Sequence, residues 1–185
     1  MHSFLLHSFH PRHDCVCYCP MTVRLMREED WHAVSEIFRE GLETGVATFQ
    51  REVPSYEQWN ASYSNACRLV VEEDATVVGW AALSPVSSRA AYRGVGEVSI
   101  YISKAYRGNR IGCHLLQSLI SSSEQHGYWT LQAVVLVDNT ASIALHTHCG
   151  FRIVGYREKI GQLADRTWSD TLLMERRSTV VGLHS

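Results

Sequence analysis

Nowhere in this 185-residue sequence does an apolar run approach the length a helix needs to cross a bilayer. A basic excess is missing too. Seventeen Lys and Arg stand against 19 Asp and Glu, a formal charge of -2, so the chain lacks the positive surplus with which nucleic-acid binders neutralise phosphates. Neither membrane nor nucleic acid is therefore an expected partner. Disulfide-like spacing is absent from the body of the chain, where Cys67, Cys113 and Cys149 stand far apart, and this usage fits a reducing, cytoplasmic setting. Internal repeats and low-complexity segments are absent as well. What is present is a 45% hydrophobic, 19% charged chain of the length of one ordinary domain, enough to bury a real core.

Residues 1–20 are rich in His, Cys and Pro and lack the longer apolar stretch of a secretory signal. They read as a disordered leader or upstream extension, since Met21 opens the first strand-like segment. The domain then runs over residues 21–177, with a short tail over 178–185. His10, His13, Cys15, Cys17 and Cys19 invite a metal reading, but alternating Cys-x-Cys-x-Cys lacks the two-to-four-residue gaps of common zinc modules, and no metal is expected.

Hydrophobic periodicity orders the elements. Val23–Met26 is strand-like, and the acidic run Glu28-Glu29-Asp30 suits the positive end of a helix in which Ala33, Val34, Ile37, Phe38 and Leu42 recur at three-and-four spacing. Gly41 and Gly45 offer places for it to stop. Ser55 with Gln58 forms a capping box for a second helix carrying Trp59 and Tyr63. Leu69–Val71 and Thr76–Leu83 predict an antiparallel hairpin, and Val95–Ser103 a strand with Val98, Ile100 and Ile102 on a core face and Glu97, Ser99 and Tyr101 on a polar one. A helix over Arg110–Gln125, a strand over Trp129–Val137, a helix capped by Asp138-Asn139-Thr140 and a closing strand pair complete the chain. The order predicts an α/β (α+β mixed sheet) fold: a central twisted mixed sheet of about six to seven strands with about four helices on its faces.

One stretch carries the first chemical signal. From Ile100-Tyr101-Ile102 through Arg107-Gly108-Asn109-Arg110-Ile111-Gly112 to Cys113, a strand, a glycine-containing turn and a helix start follow in succession, the layout of a phosphate cradle. It is no Walker loop, because no Gly-Lys-Ser/Thr follows, and the glycine spacing is not that of a dinucleotide fold. Glycines alone are weak evidence, since any strand-to-helix turn can hold them. Asn139 then opens a later helix that Gly150-Phe151 closes.

Together these two segments resemble the GNAT acetyltransferase superfamily over about Val23 to Arg176. Closer still, Gly45-Val46-Ala47-Thr48-Phe49, Pro54–Trp59, Arg89-Ala90-Ala91-Tyr92 and Glu97–Ile102 are similar, in order, to its phosphinothricin and methionine-sulfone acetyltransferase branch. The resemblance implies a GNAT fold, acetyl-CoA as co-substrate, and a small amino acid or analogue as acceptor. It implies that Ile100–Ile102, Arg107–Cys113 and Asn139 hold the cofactor and that Glu97 is the base. It also implies that Phe49, Arg89 and Tyr92 shape the acceptor site and that the protein is a homodimer. Two departures stand out. Arg110 replaces the family's middle glycine, which is compatible with binding if the position has helical backbone angles, and Ser87 replaces a common lysine.

The chemistry can be argued beside the name. An ammonium must lose a proton before its nitrogen attacks a thioester, and Glu97 is a carboxylate on a strand otherwise filled with β-branched residues. A strand-edge salt bridge is the alternative for Glu97, and an exposed loop arginine the alternative for Arg89. Backbone N–H groups around Tyr101 and Ile102 are the expected oxyanion donors. His146 stands where many GNAT enzymes carry a tyrosine, and is a candidate acid or a packed helix histidine. His146 and His148 make a poor metal pair, and Cys113 and Cys149 read as small packing residues. Other acceptors (a polyamine, an aminoglycoside, a protein N-terminus) and a non-catalytic CoA-binding module remain alternatives.

Overall fold

The computed structural model describes residues 21–183; the leader, and the metal reading attached to it, lie outside the described residues. The chain runs β1 (Thr22–Leu25), α1 (Trp31–Leu42), α2 (Tyr56–Ser62), β2 (Arg68–Glu73), β3 (Thr76–Pro85), β4 (Val95–Ile102), α3 (Ile111–Gln125), β5 (Thr130–Leu136), α4 (Thr140–His148), β6 (Arg152–Gln162) and β7 (Trp168–Arg177). These are the predicted elements in the predicted order. All seven strands form one sheet in the order β1-β2-β3-β4-β5-β7-β6, antiparallel except where β4 meets β5. A parallel pair needs a crossover, and α3 supplies it.

Local chemistry explains the joints. The β2–β3 hairpin turns on Asp74 and Ala75, both at positive φ, the backbone of a tight two-residue turn whose twist suits its strands. Ser55 Oγ accepts the Gln58 N–H while Gln58 Oε1 accepts that of Ser55, the expected capping box of α2. The acidic run departs from expectation: Glu28–Asp30 forms a separate 3₁₀ turn, and α1 begins at Trp31. Asp30 is only 7% exposed, and its carboxylate is committed to the Arg24 guanidinium at 2.7 Å and the Arg27 N–H. Arg24 also pairs with Glu72, so β1, β2 and the entry to α1 are tied by charge.

Two cores flank the sheet. Leu115, Leu116 and Leu119 of α3 pack on Val71, Ala81, Val98 and Ala133, with Ile100 and Ile102 against them. On the opposite face Val34, Ile37 and Phe38 of α1 and Trp59 of α2 pack around Trp80. The polar face expected of β4 is therefore only partly polar. Tyr101 leaves Glu97 and Ser99 to join that second core, its ring stacked on Trp80 at 4.8 Å and edge-on to Phe38. Gly41 is not a helix stop but lies inside α1, where a Cβ would stand 2.6 Å from the Tyr101 ring; its lack of a side chain brings α1 down on β4.

Candidate active site

β4 and β5 pair over only three residues each, from Val95↔Thr130 to Glu97↔Gln132. Beyond Glu97, β4 stays with β3 while β5 stays with β7, and the two strands part. The Ser103 N–H donates to Val78, so by antiparallel alternation the odd-numbered amides of β4 face β3. Those of Ile100 and Ile102 face the gap, and the Ile102 carbonyl there accepts Arg107 Nε at 3.0 Å. This corrects the expected donor pair: the amide of Tyr101 points into the sheet and its ring into the core.

A cleft of about 1230 Å³ fills the gap. Drug-sized ligands occupy sites of roughly 300–1,000 Å³, so there is room here for two reactants. Its walls are Val98–Ile102 of β4, Ala133–Leu136 of β5, the start of α3 and one face of α4. At one end, Arg107, Gly108, Arg110, Ile111, Gly112 and Cys113 line it; Asn109 is exposed and outside the lining. Gly108 has φ +85 with open space at its Cβ position. Arg110 does not meet the condition of right-handed helical angles. It caps α3 at φ 60 and ψ 5, left-handed backbone that disfavours a side chain by about 1–2 kcal/mol, which accounts for glycine in the family's pattern. The first amides of α3 point out of this turn with the positive end of the helix dipole, a fit for a diphosphate.

Asn139 lines the cleft while its Oδ1 accepts the Ser142 N–H at 3.0 Å, capping α4. His146, 2% exposed, also reaches the cleft wall, edge-on to Phe151. Its Nδ1 lies 2.8 Å from the Ser142 carbonyl, which can only accept, so Nδ1 carries the proton and Nε2 is a bare, unpartnered acceptor. Burial holds its pKa below the ordinary imidazole value. In this tautomer Nε2 carries no proton to give, which bears against the candidate acid role.

At the fork sits Glu97. Burial raises its pKa above the ordinary carboxylate range, with the Arg157 guanidinium acting in the opposite direction. It is the sole carboxylate among the described residues lining the cleft. Tyr63 and Ser99, joined by a 3.1 Å hydrogen bond, line the cleft beside it, and Phe49 closes it by lying over Gly161 of β6. Arg89 and Tyr92 are not brought in. They stand exposed at the 3₁₀ turn between β3 and β4, outside the cleft lining.

Among the described residues, no three His, Cys, Asp or Glu side chains gather closely enough to hold a metal, and no helix is long and apolar enough to cross a membrane. The unpaired strand edge, the amide-rich turn and the length of the gap instead suit an elongated acyl thioester with a diphosphate at one end. A model of the Acetyltransferase (GNAT) family matches residues 31–151, well over half of the chain. The chain belongs to the GNAT acetyltransferase family.

This GNAT chain is 34% identical to the phosphinothricin N-acetyltransferase of Alcaligenes faecalis over 165 residues, 85% of this chain and 83% of that relative. It is 28% identical to the L-methionine sulfoximine/L-methionine sulfone acetyltransferase of Salmonella typhimurium over 160 residues, 84% and 93% of the two chains. The crystal structure of a GNAT superfamily phosphinothricin acetyltransferase from Sinorhizobium meliloti in complex with AcCoA matches with a TM-score of 0.81 at 30% identity, covering 89% of this chain and 92% of that one. The protein is thus an acetyl-CoA-dependent N-acetyltransferase.

Sequence reasoning gave no site role to Tyr63, Ser99 or Arg157. Alternation along β4 already placed Ser99 on the face of Glu97, but Tyr63 lies 36 residues from Ser99 and Arg157 lies on β6, so only the fold brings these two to that neighbourhood.

Proposed function

We propose that this GNAT enzyme acetylates the α-amino group of a small amino acid or analogue of the phosphinothricin, methionine sulfone or methionine sulfoximine type, with Glu97 as general base. The carrying observation is the half-buried Glu97 carboxylate at the fork, directly before the strand edge whose amides are unpaired. Acetyl-CoA supplies the activated acetyl group. Glu97 removes the proton from the acceptor ammonium, directly or through a water, and its raised pKa makes it a stronger base than a solvated carboxylate. The Ile100 and Ile102 amides are donors for the charge that develops on the thioester oxygen. His146 offers Nε2 as an acceptor and takes up a proton before it can give one.

Arg157 is the cation nearest in effect to Glu97 and is the counter-charge this reading gives the acceptor's acidic group, in place of Arg89. The homodimer implied by the resemblance and the cytoplasmic setting read from cysteine usage stay part of the proposal; Ile153, Tyr156, Ile160 and Trp168 of the β6–β7 hairpin form an exposed apolar face that suits a second copy. A polyamine or aminoglycoside is disfavoured, because one carboxylate makes no acidic groove for a polycation. Steady-state CoA release should be measured with the three amino-acid analogues, spermidine, an aminoglycoside and an alanine-initiated peptide. Turnover is expected with at least one analogue; turnover confined to the polycations or the peptide would reject the assignment.

A further inference from the structure

Two thiols, one in the cleft wall and one buried behind it, are given no part in the proposed transfer. Cys113, in the first turn of α3, is partly exposed and lines the cleft; Cys149, at the end of α4, is 8% exposed. Thirty-six residues apart in sequence, their Sγ atoms stand 3.7 Å from each other, and both are free. A disulfide has an S–S distance of about 2.05 Å, so bonding them needs an approach of roughly 1.6 Å. We infer that Cys113 and Cys149 are an oxidisable dithiol and that their disulfide and acetyl-CoA exclude one another from the cleft.

The helices have little slack to absorb that approach. Beside Cys113, a Cβ on Gly112 would already be 3.3 Å from Leu145 of α4. Drawing the first turn of α3 toward the end of α4 therefore displaces the turn that faces the diphosphate. Conversely, a cofactor lying along that turn covers Cys113, the sulfur an oxidant meets first. Burial, reinforced by Cys113, pushes the Cys149 thiol up to about 12, so Cys149 keeps its proton until it reacts.

Hydrogen peroxide is the co-reactant. The Cys113 thiolate attacks a peroxide oxygen, the O–O bond breaks, and hydroxide leaves as water with the original thiol proton, giving a sulfenic acid. The Cys149 sulfur then attacks Cys113 Sγ, the S–O bond breaks, and the hydroxyl departs with the Cys149 proton as a second water. Two thiols lose two electrons in all, and one peroxide becomes two waters. If the disulfide weakens cofactor binding, cofactor must oppose the disulfide by the same factor at equilibrium.

The inference rests on the cleft being the acetyl-CoA site, which the affinity of the reduced full chain tests separately. That chain should be treated with peroxide, with and without saturating acetyl-CoA, then mapped by mass spectrometry without reduction. A Cys113–Cys149 linked peptide is expected, slowed at least about fivefold by acetyl-CoA. The linked protein should bind acetyl-CoA at least tenfold more weakly by calorimetry, with dithiothreitol restoring it. Cys149→Ser should leave a dimedone-reactive sulfenic acid at Cys113, and Cys113→Ser should give neither product. Recovery of both residues as unlinked thiols, or a linked protein with undiminished affinity, overturns the inference.

Discussion

Glu97 sits where β4 last pairs with β5, and the same geometry that opens a gap beyond it leaves its carboxyl half-buried. Glu97→Gln is expected to lower kcat by about 10²–10⁴-fold. Acetyl-CoA affinity should stay within about twofold, since the turn at Arg107–Gly112 is untouched. In the native enzyme kcat/KM should rise with pH through the raised pKa of Glu97, and that limb should vanish in the variant. The same shift makes a stability statement. A carboxyl whose folded pKa is raised is held most favourably when protonated, so that contribution is complete below the ordinary carboxylate range and lost as pH rises through the folded value. Glu97→Gln should therefore melt higher than the native protein at pH 8, with the advantage fading on acidification. A variant with native activity and an unchanged pH profile would remove Glu97 from the role of base.

At the scale of elements, the cleft depends on how closely α1 lies on β4, and Gly41 sets that distance. Helix propensity alone favours Gly41→Ala by about 1 kcal/mol. The added Cβ would nevertheless meet a Tyr101 ring already held by Trp80 and Phe38, and overpacking of this kind costs about 1–3 kcal/mol. The variant should thus melt lower than the native protein, and its KM for acetyl-CoA should rise because β4 carries the cleft edge. A higher melting temperature would show that Tyr101 yields freely. Arg110 is the other element-scale tension: a left-handed residue with a long side chain at the cap of α3 is a strain kept at a functional turn.

At the scale of the whole molecule, the sheet is held together across the fork by only a short parallel ladder, and in the proposed reading acetyl-CoA bridges what the strands do not. Acetyl-CoA at 100 times its Kd should add about 2.7 kcal/mol to folded-state stability. For a chain of this size that corresponds to about 5–10 °C in Tm by differential scanning calorimetry. No shift at that concentration would argue that the β4–β5 gap is not the site.

Much was legible beforehand because it is local. Three-and-four spacing marks α1 and α3, the Ser55–Gln58 box starts α2, and Arg107–Gly112 with Asn139 marks the two helix starts that line the cleft. Such features need only neighbours along the chain. Register and the parting of β4 from β5 are different in kind, being set by which distant strands each edge prefers. Period-two alternation placed Tyr101 beside Glu97 on a polar face, and only packing sent its ring into the aromatic core. In the same way, the fold alone joined Tyr63 to Ser99, set Arg157 within electrostatic reach of Glu97, left Arg89 and Tyr92 outside the cleft, and brought Cys113 against Cys149. The amino-acid order by itself determined the elements, their sequence and the glycine turn at Arg107–Gly112, since these follow from backbone preferences within a few residues. The composition of the cleft around Glu97 was decided by the fold, because burial and juxtaposition exist only once distant strands have met.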